Sequence, residues 1–269
     1  MRHAIKRFIT SSFIICALIF SGVSNAGETL QRVVDFKVLK VGMSGAQPPM
    51  NTVNRDGAMM GMDVDLARAL ASAMNVTLEI KIMPFGELLG ALEKDEVDMV
   101  ISGMSITPER TERVSFIGPY MMSGKSILTK DSVLAKISSE KEVNRDNLTF
   151  VALKNSTSAA FVRNAAPRAT LVEIDAYDEG VAMVKDGKAD GLVADMPICV
   201  LSVMRYPDAG FVTLENPLTV EPVGIAISKD DPQLLNLVQN YLDAYGKLGV
   251  LNQLRKKWFE NNEWIAALP

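Results

Sequence analysis

The chain has 269 residues, of which 48% are hydrophobic, and its 28 Lys+Arg against 32 Asp+Glu give a formal net charge of −4. That acidic balance argues against a nucleic-acid partner, because such binding is driven by cationic contacts to phosphate. A single histidine and two cysteines leave little material for nucleophilic or metal chemistry.

The first 26 residues read as a secretion signal. Arg2, His3, Lys6 and Arg7 form a basic start, residues 13–20 form an apolar run, and Val23, Ser24, Asn25 and Ala26 suit cleavage after Ala26. The run is shorter than the roughly 20 apolar residues of a membrane span. Cys16 lies inside the run rather than after it, which is the wrong place for a lipid-bearing cysteine. Cleavage removes the histidine together with three Lys/Arg and no acid, so the formal charge of −4 becomes −7. Cys199 is then the remaining cysteine. The mature chain therefore excludes an internal disulfide, a Ser-His-Asp or Cys-His device and a histidine metal site. No metal and no cofactor are expected.

About 240 residues remain, which suits two lobes better than one core. Residues 37–43 (KVLKVGM) predict a buried strand leading into a turn at 45–49, and 51–60 predict a polar loop turning at Gly57. Residues 63–74 carry apolar side chains at helical spacing, with Asp63 and Asp65 near the positive helix start. Residues 77–83 alternate as a strand, 85–94 read as helix and 98–102 as a short buried strand. This order argues for an α/β lobe with a largely parallel sheet. A second run begins near Lys125, with strands at 148–153, 169–174, 191–193 and 223–227 and helices at 156–164, 176–185 and 197–204. The tail, 234–259, reads as helix broken near Gly246–Gly249. The alternation pauses near 120–125 and 216–222, the expected crossings between lobes. Two facing α/β lobes place a ligand site beyond the carboxyl ends of their strands, in the cleft between them.

Three motifs carry the chemistry. GMSITPER at 103–110 is a strand end, a loop and a helix start. Gly103 allows close backbone approach, Ser105 and Thr107 offer hydroxyls, and Thr107-Pro108 is a helix opening. Arg110 follows, and its residues alone leave two roles open: pairing with Glu109 or Glu112 at the surface, or a two-pronged grip on a carboxylate. VALKNSTS at 151–158 puts Asn155, Ser156, Thr157 and Ser158 at a strand-to-helix junction, suited either to ordinary capping or to an anion. ADGLVAD at 189–195 ends in Asp195, which either caps the next helix or receives an ammonium. Phe85 is either core packing or an aromatic face toward a ligand. The fifteen methionines read as core filler.

With these segments, the chain resembles the bacterial extracellular solute-binding proteins of family 3, the periplasmic receptors of polar amino acid ABC importers. The resemblance spans nearly all of the mature chain: Pro48–Met50, GMDVDLARAL at 61–70, GMSITPER, FIGPYMMSGKSIL at 116–128, KNSTS, KDGKADGLVAD at 185–195 and LGVLNQLRKKWF at 248–259. It implies a two-lobed type II periplasmic-binding-protein fold with a two-strand hinge. Lobe 1 is expected from 27–123 plus 223–269 and lobe 2 from 124–222. The resemblance further implies a free amino acid ligand, a membrane permease partner, a monomer and a periplasmic location. By position, Arg110 and the Thr157–Ser158 helix start hold the ligand carboxylate, Asp195 holds its ammonium, and Gly103 and Ser105 add contacts. Phe85 packs on the ligand side chain and Lys154 borders that pocket.

This chain departs from the family pattern at three points. Gln47 stands where many members have an aromatic, with Met50 for the usual phenylalanine. Ser44 and Gly45 replace the acid of cation-binding members. Ser156 stands where glycine is common. The expected ligand is therefore a neutral polar amino acid such as glutamine, from Gln47 as an added amide, Lys154 and the missing acid. An acidic amino acid, which the Lys154 cation would suit, and a modified amino acid are the other ligands left open. The expected function is binding without catalysis. The alternatives are a dehydratase acting on prephenate or arogenate, which the family includes, and a sensory ligand-binding protein. A dehydratase needs a cleft acid, and Met196, Pro197 and Ile198 after Asp195 supply none.

Overall fold

A computed structural model describes residues 27–269. The expected signal segment and its cleavage after Ala26 lie outside the described residues. Two five-stranded sheets form the centres of two lobes. In the first, Thr77–Ile82, Val38–Met43 and Met99–Val100 run parallel, followed by Glu221–Ile227 and Ser115–Ser123 as antiparallel neighbours. The second repeats this plan. Thr170–Ile174, Thr149–Leu153 and Gly191–Asp195 are parallel, and Lys125–Thr129 and Val212–Thr213 are antiparallel to them in turn. Among the described residues no helix is long and apolar enough to cross a membrane.

Local signals explain most elements. Met62–Ala73 buries Val64, Leu66, Ala67 and Leu70 on one face and opens with Asp63 and Asp65. Thr157–Ala165 is capped by Ser156, whose hydroxyl accepts from Ala159 N–H at 3.1 Å. The terminal helix splits at Gly249 (φ 79°) into Pro232–Lys247 and Val250–Arg255.

Three differences from the sequence expectation have physical reasons. Ser115–Ser123 is a strand although it contains Gly118–Pro119. It lies at the edge of its sheet, where a missing N–H costs no ladder bond, and the register shifts opposite it between Val223 and Ile225. The segment expected as a polar loop is a small sheet of Ala46–Gln47, Asn51–Val53 and Met59–Met60. Strands of two or three residues are too short to show a period. Finally, Glu28–Phe36 is a helix fixed by a distant group: Asp231 accepts from Leu30 N–H at 2.7 Å.

The chain leaves the first sheet after Ser123, enters the second at Lys125, and returns from Thr213 to Glu221. The two crossings are laced together. Leu218 N–H donates to Lys125 O at 2.7 Å, and Lys125 N–H donates to Thr219 Oγ1 at 2.9 Å. Gly124 sits where a Cβ would lie 1.9 Å from Thr219 O, so the crossings can touch only through glycine. Buried Phe85, Leu88 and Met104 of the first lobe share one apolar cluster with Leu153, Tyr177 and Ile198 of the second. Gly124→Ala should therefore force the crossings apart and destabilise the fold by at least about 2 kcal/mol in urea unfolding. An unchanged midpoint would show that the crossings give way freely.

Candidate functional site

The loop after Met99–Val100 is braced from behind by a buried carboxylate. Asp63, 0% exposed, accepts from Tyr120 Oη at 2.7 Å and Asn51 Nδ2 at 2.8 Å, and the Gly103 N–H also reaches it. Gly103 itself has φ +55°, a left-handed conformation that glycine takes without cost. Beyond it, Ser105 pairs with Val223 and Ile106 N–H donates to Pro222 O at 2.7 Å. The loop is thereby stitched to the returning strand beside Glu221.

Arg110 leaves the short helix Pro108–Thr111, whose cap Thr107 accepts from Arg110 N–H at 3.3 Å. The guanidinium turns inward. Nη1 donates to Ser105 O at 2.8 Å and Nη2 to Asn155 O of the other lobe at 3.2 Å. The group lies 5.6 Å from the centre of the Phe85 ring, within cation–π range. Neither Glu109 nor Glu112 takes it.

From the second lobe comes an ionic cluster. Lys125 and Asp195 are directly opposed across an antiparallel strand pair, and Nζ donates to Asp195 Oδ1 at 2.6 Å. The same ammonium is 3.0 Å from Glu221 Oε2. Lys125 is 1% exposed. Glu221 Oε2 also accepts from Ser105 Oγ at 2.7 Å and from Thr157 Oγ1 at 2.8 Å, one hydroxyl from each lobe. Oε1 accepts from Thr219 Oγ1 at 3.1 Å. Burial pushes the Glu221 carboxyl up, but the charge and hydrogen bond of the Lys125 ammonium and the hydrogen bonds from Ser105 and Thr157 outweigh it, and its pKa is lowered. Asp195 begins the helix Met196–Arg205 without a side-chain cap bond, so its carboxylate belongs to Lys125 rather than to the helix.

Of the nine expected site residues, Arg110, Asp195, Thr157, Ser105, Gly103, Phe85 and Gln47 converge on this seam. Gln47 is buried, its Oε1 accepting from Ser44 Oγ at 2.9 Å and Ser102 Oγ at 3.0 Å, and its side chain also hydrogen-bonds Tyr177 across the cleft. Ser158 is buried behind Thr157, its hydroxyl lacking a partner among the described residues. Lys154 sits farther out. It pairs with Asp175 at 3.0 Å, both side chains at least half exposed, on the rim of a groove that Phe85 and Asn155 also line. Burial pushes the Cys199 thiol up to about 12, which leaves it a packing residue.

Sequence reasoning missed Lys125, Glu221 and Tyr177. A signal existed for Lys125: it opens an apolar strand whose five residues are all buried, and a buried lysine requires partners. Glu221 stands at the start of the returning strand and had no local mark. Tyr177 reads as an ordinary helix-start aromatic, and burial raises its phenol well above the usual range.

Two α/β lobes joined by two crossings, with charged groups of both signs at their seam, define a two-lobed ligand-binding protein. Residues 39–261 match the bacterial extracellular solute-binding proteins, family 3, and the chain belongs to that family. It is similar to the ABC transporter arginine-binding protein 1 of Escherichia coli (strain K12), with 27% identity covering 82% of this chain and 90% of that protein. It is also similar to the cyclohexadienyl dehydratase of Pseudomonas aeruginosa (strain PAO1), with 24% identity covering 94% and 95%. Among solved structures, a putative ABC transporter binding component from Wolinella succinogenes complexed with lysine matches with a TM-score of 0.80 and 33% identity, covering 86% of this chain and 99% of that one.

The Asp63 cluster makes a pH signature. Burial pushes Asp63 up from 3.8 to about 6, against hydrogen bonds from Tyr120, Asn51 and Gly103 that pull it down. A carboxyl raised on folding binds its proton more tightly in the folded state. Its stabilising contribution is full below the unfolded pKa and is lost as pH rises through the folded one. Relative to Asp63→Asn, the wild type should gain on the order of 3 kcal/mol as pH falls from about 7.5 to about 4. Urea unfolding at stepped pH reads this difference, and parallel curves for the two proteins would refute it.

Proposed function

We propose that this chain is the periplasmic substrate-binding component of an amino acid ABC importer. It holds a free L-amino acid with a neutral polar side chain between lobes formed by 27–123 plus 223–269 and by 124–222, without catalysing a reaction. The observation that carries this reading is the charge set at the seam: Arg110 and Lys125 against Asp195 and Glu221. The four charges cancel, and a zwitterionic head preserves that balance. Arg110 offers the guanidinium fork suited to a carboxylate, and Asp195 offers an acceptor for an ammonium. Phe85, Gln47 and Tyr177 stand beside it for the side chain.

A neutral side chain follows from what the first-lobe loop offers. The Ser44 hydroxyl there is taken up between Gln47 Oε1 at 2.9 Å and Asn51 Oδ1 at 3.0 Å. Asp63 is sealed behind Asn51 and Tyr120. A cationic side chain would find no free carboxylate in this loop, at a desolvation cost. The Gln47 amide, its oxygen already used, meets Tyr177 across the cleft. Non-catalytic binding is supported by the state of the carboxylates: both hold Lys125, and Glu221 has a lowered pKa, opposite to a general acid.

Calorimetry of ligand-stripped protein with the free L-amino acids tests the reading. We expect L-glutamine or another neutral polar amino acid to bind, with L-arginine and L-lysine weaker. Arg110→Ala and Asp195→Asn should each weaken binding by roughly 100-fold, on the order of 3 kcal/mol. Failure of every amino acid to bind refutes the reading. Release of phenylpyruvate from prephenate would replace it with the dehydratase reading.

A further inference from the structure

We propose that Glu221, held by Lys125, sets the hydrogen-bond polarity of the two cleft hydroxyls, so that Ser105 and Thr157 act as acceptors for a ligand ammonium. This inference deepens the amino-acid-binding reading and rests on it.

The argument is one of proton counting. An ionised carboxylate only accepts hydrogen bonds, and a hydroxyl has one proton to give. Ser105 Oγ and Thr157 Oγ1 lie 2.7 and 2.8 Å from the same Glu221 Oε2, so both protons are committed to that oxygen. The two hydroxyl oxygens are 3.4 Å from each other, and with their protons spent this is a contact between two acceptors. Their remaining lone pairs are available to a donor and repel an anion. Glu221 can stay ionised in this half-buried place because the Lys125 ammonium lies 3.0 Å away, and that ammonium is in turn balanced by Asp195 at 2.6 Å. One chain of contacts therefore presents three acceptors from three elements: Asp195, Ser105 and Thr157.

The result changes the role expected of Thr157. Its hydroxyl cannot serve the ligand carboxylate. At this helix start Ala159 N–H is taken by Ser156 Oγ and Ala160 N–H by Ser156 O, which leaves the N–H groups of Thr157 and Ser158 for an anion. Arg110 keeps further N–H groups beyond the two spent on Ser105 O and Asn155 O. Thr157 is thus assigned to both ends of the ligand through different atoms, its N–H to the carboxylate and its hydroxyl oxygen to the ammonium. Backbone and guanidinium N–H groups take the anion, and side-chain oxygens take the cation.

Calorimetry with two pairs of probes reads the polarity: L-glutamine against glutaramate, and L-arginine against 5-guanidinopentanoate. The second member of each pair lacks only the α-amino group. The wild type should prefer its amino compound by at least about 100-fold, since acceptors built for a donor are left unpaired by the analogue. In Glu221→Gln the amide can donate to a hydroxyl and turn its proton toward the cleft. The preference should then fall by at least about tenfold, through weaker amino acid binding, with the des-amino acid changed by less than about threefold. Glu221→Asp, which keeps the acceptor, should retain more of the preference. Thr157→Val keeps the side-chain shape and provides a second route to the same selective loss. Equal losses for both members of a pair in Thr157→Val would place the hydroxyl on the carboxylate and overturn the proposal. An unaltered preference in folded Glu221→Gln would overturn it too. A wild type that binds neither pair nor any other amino acid overturns the proposed function, and this inference with it.

Discussion

The ammonium of Lys125 is the constraint around which the seam is organised. Taking a lysine to 1% exposure costs several kcal/mol unless opposite charges and hydrogen bonds replace its water. Two carboxylates do so here, and they come from different parts of the chain. Asp195 is the cross-strand neighbour of Lys125 in the second sheet, while Glu221 begins the strand that returns to the first. The ion triad therefore ties both crossings to the second lobe. Neutralising one carboxylate would leave the ammonium with a single counter-charge, so the three residues are coupled in energy.

From that anchor the other contacts follow in order. Glu221, fixed by Lys125 and Thr219, gathers Ser105 from one lobe and Thr157 from the other. Ser105 brings its loop, whose carbonyl receives Arg110. Arg110 in turn reaches Asn155 across the cleft. Asp63, Asn51 and Tyr120 brace the same loop from behind. The lobes thus meet through a small number of directional polar contacts above a shared apolar cluster. Such a seam suits an equilibrium between open and closed arrangements, because a ligand shifts it by whatever contacts it adds to the closed one alone.

Much of this architecture was legible from the chain. The alternation of apolar strands and amphipathic helices marked two α/β lobes, and Gly and Pro marked the neighbourhoods of both crossings. Capping chemistry located the helix start at Thr157, and motif spacing picked out Arg110, Ser105 and Asp195. What stayed hidden depended on register and long-range contact. Whether Asp195 caps its helix or faces a lysine is decided by the pairing of Gly191–Asp195 with Lys125–Thr129, which no local pattern encodes. Glu221 meets Ser105 and Thr157 across separations of 116 and 64 residues. Lys154, which the resemblance puts at the border of the side-chain pocket, lines the rim of the groove beside Phe85 and pairs there with Asp175. The edge strand through Pro119 was obscured by residues that usually signal a turn.

The charge pattern of the seam also bears on how the proteins similar to this chain include both binding proteins and a dehydratase. A binding site for a zwitterion needs fixed donors and fixed acceptors in balance. An acid catalyst needs one carboxyl released from that balance, so that it keeps its proton near neutral pH. In this chain the balance is doubly enforced. Lys125 bridges both carboxylates, and the hydroxyls that might have softened Glu221 instead stabilise its charged form. Freeing a carboxyl would require losing the lysine, and losing the lysine would remove the ion pairs that tie both crossings to the second lobe. On this argument the lysine that ties the crossings to the second lobe also holds Glu221 in its charged form, and freeing that carboxyl for acid catalysis would have to pass through a change at the crossings.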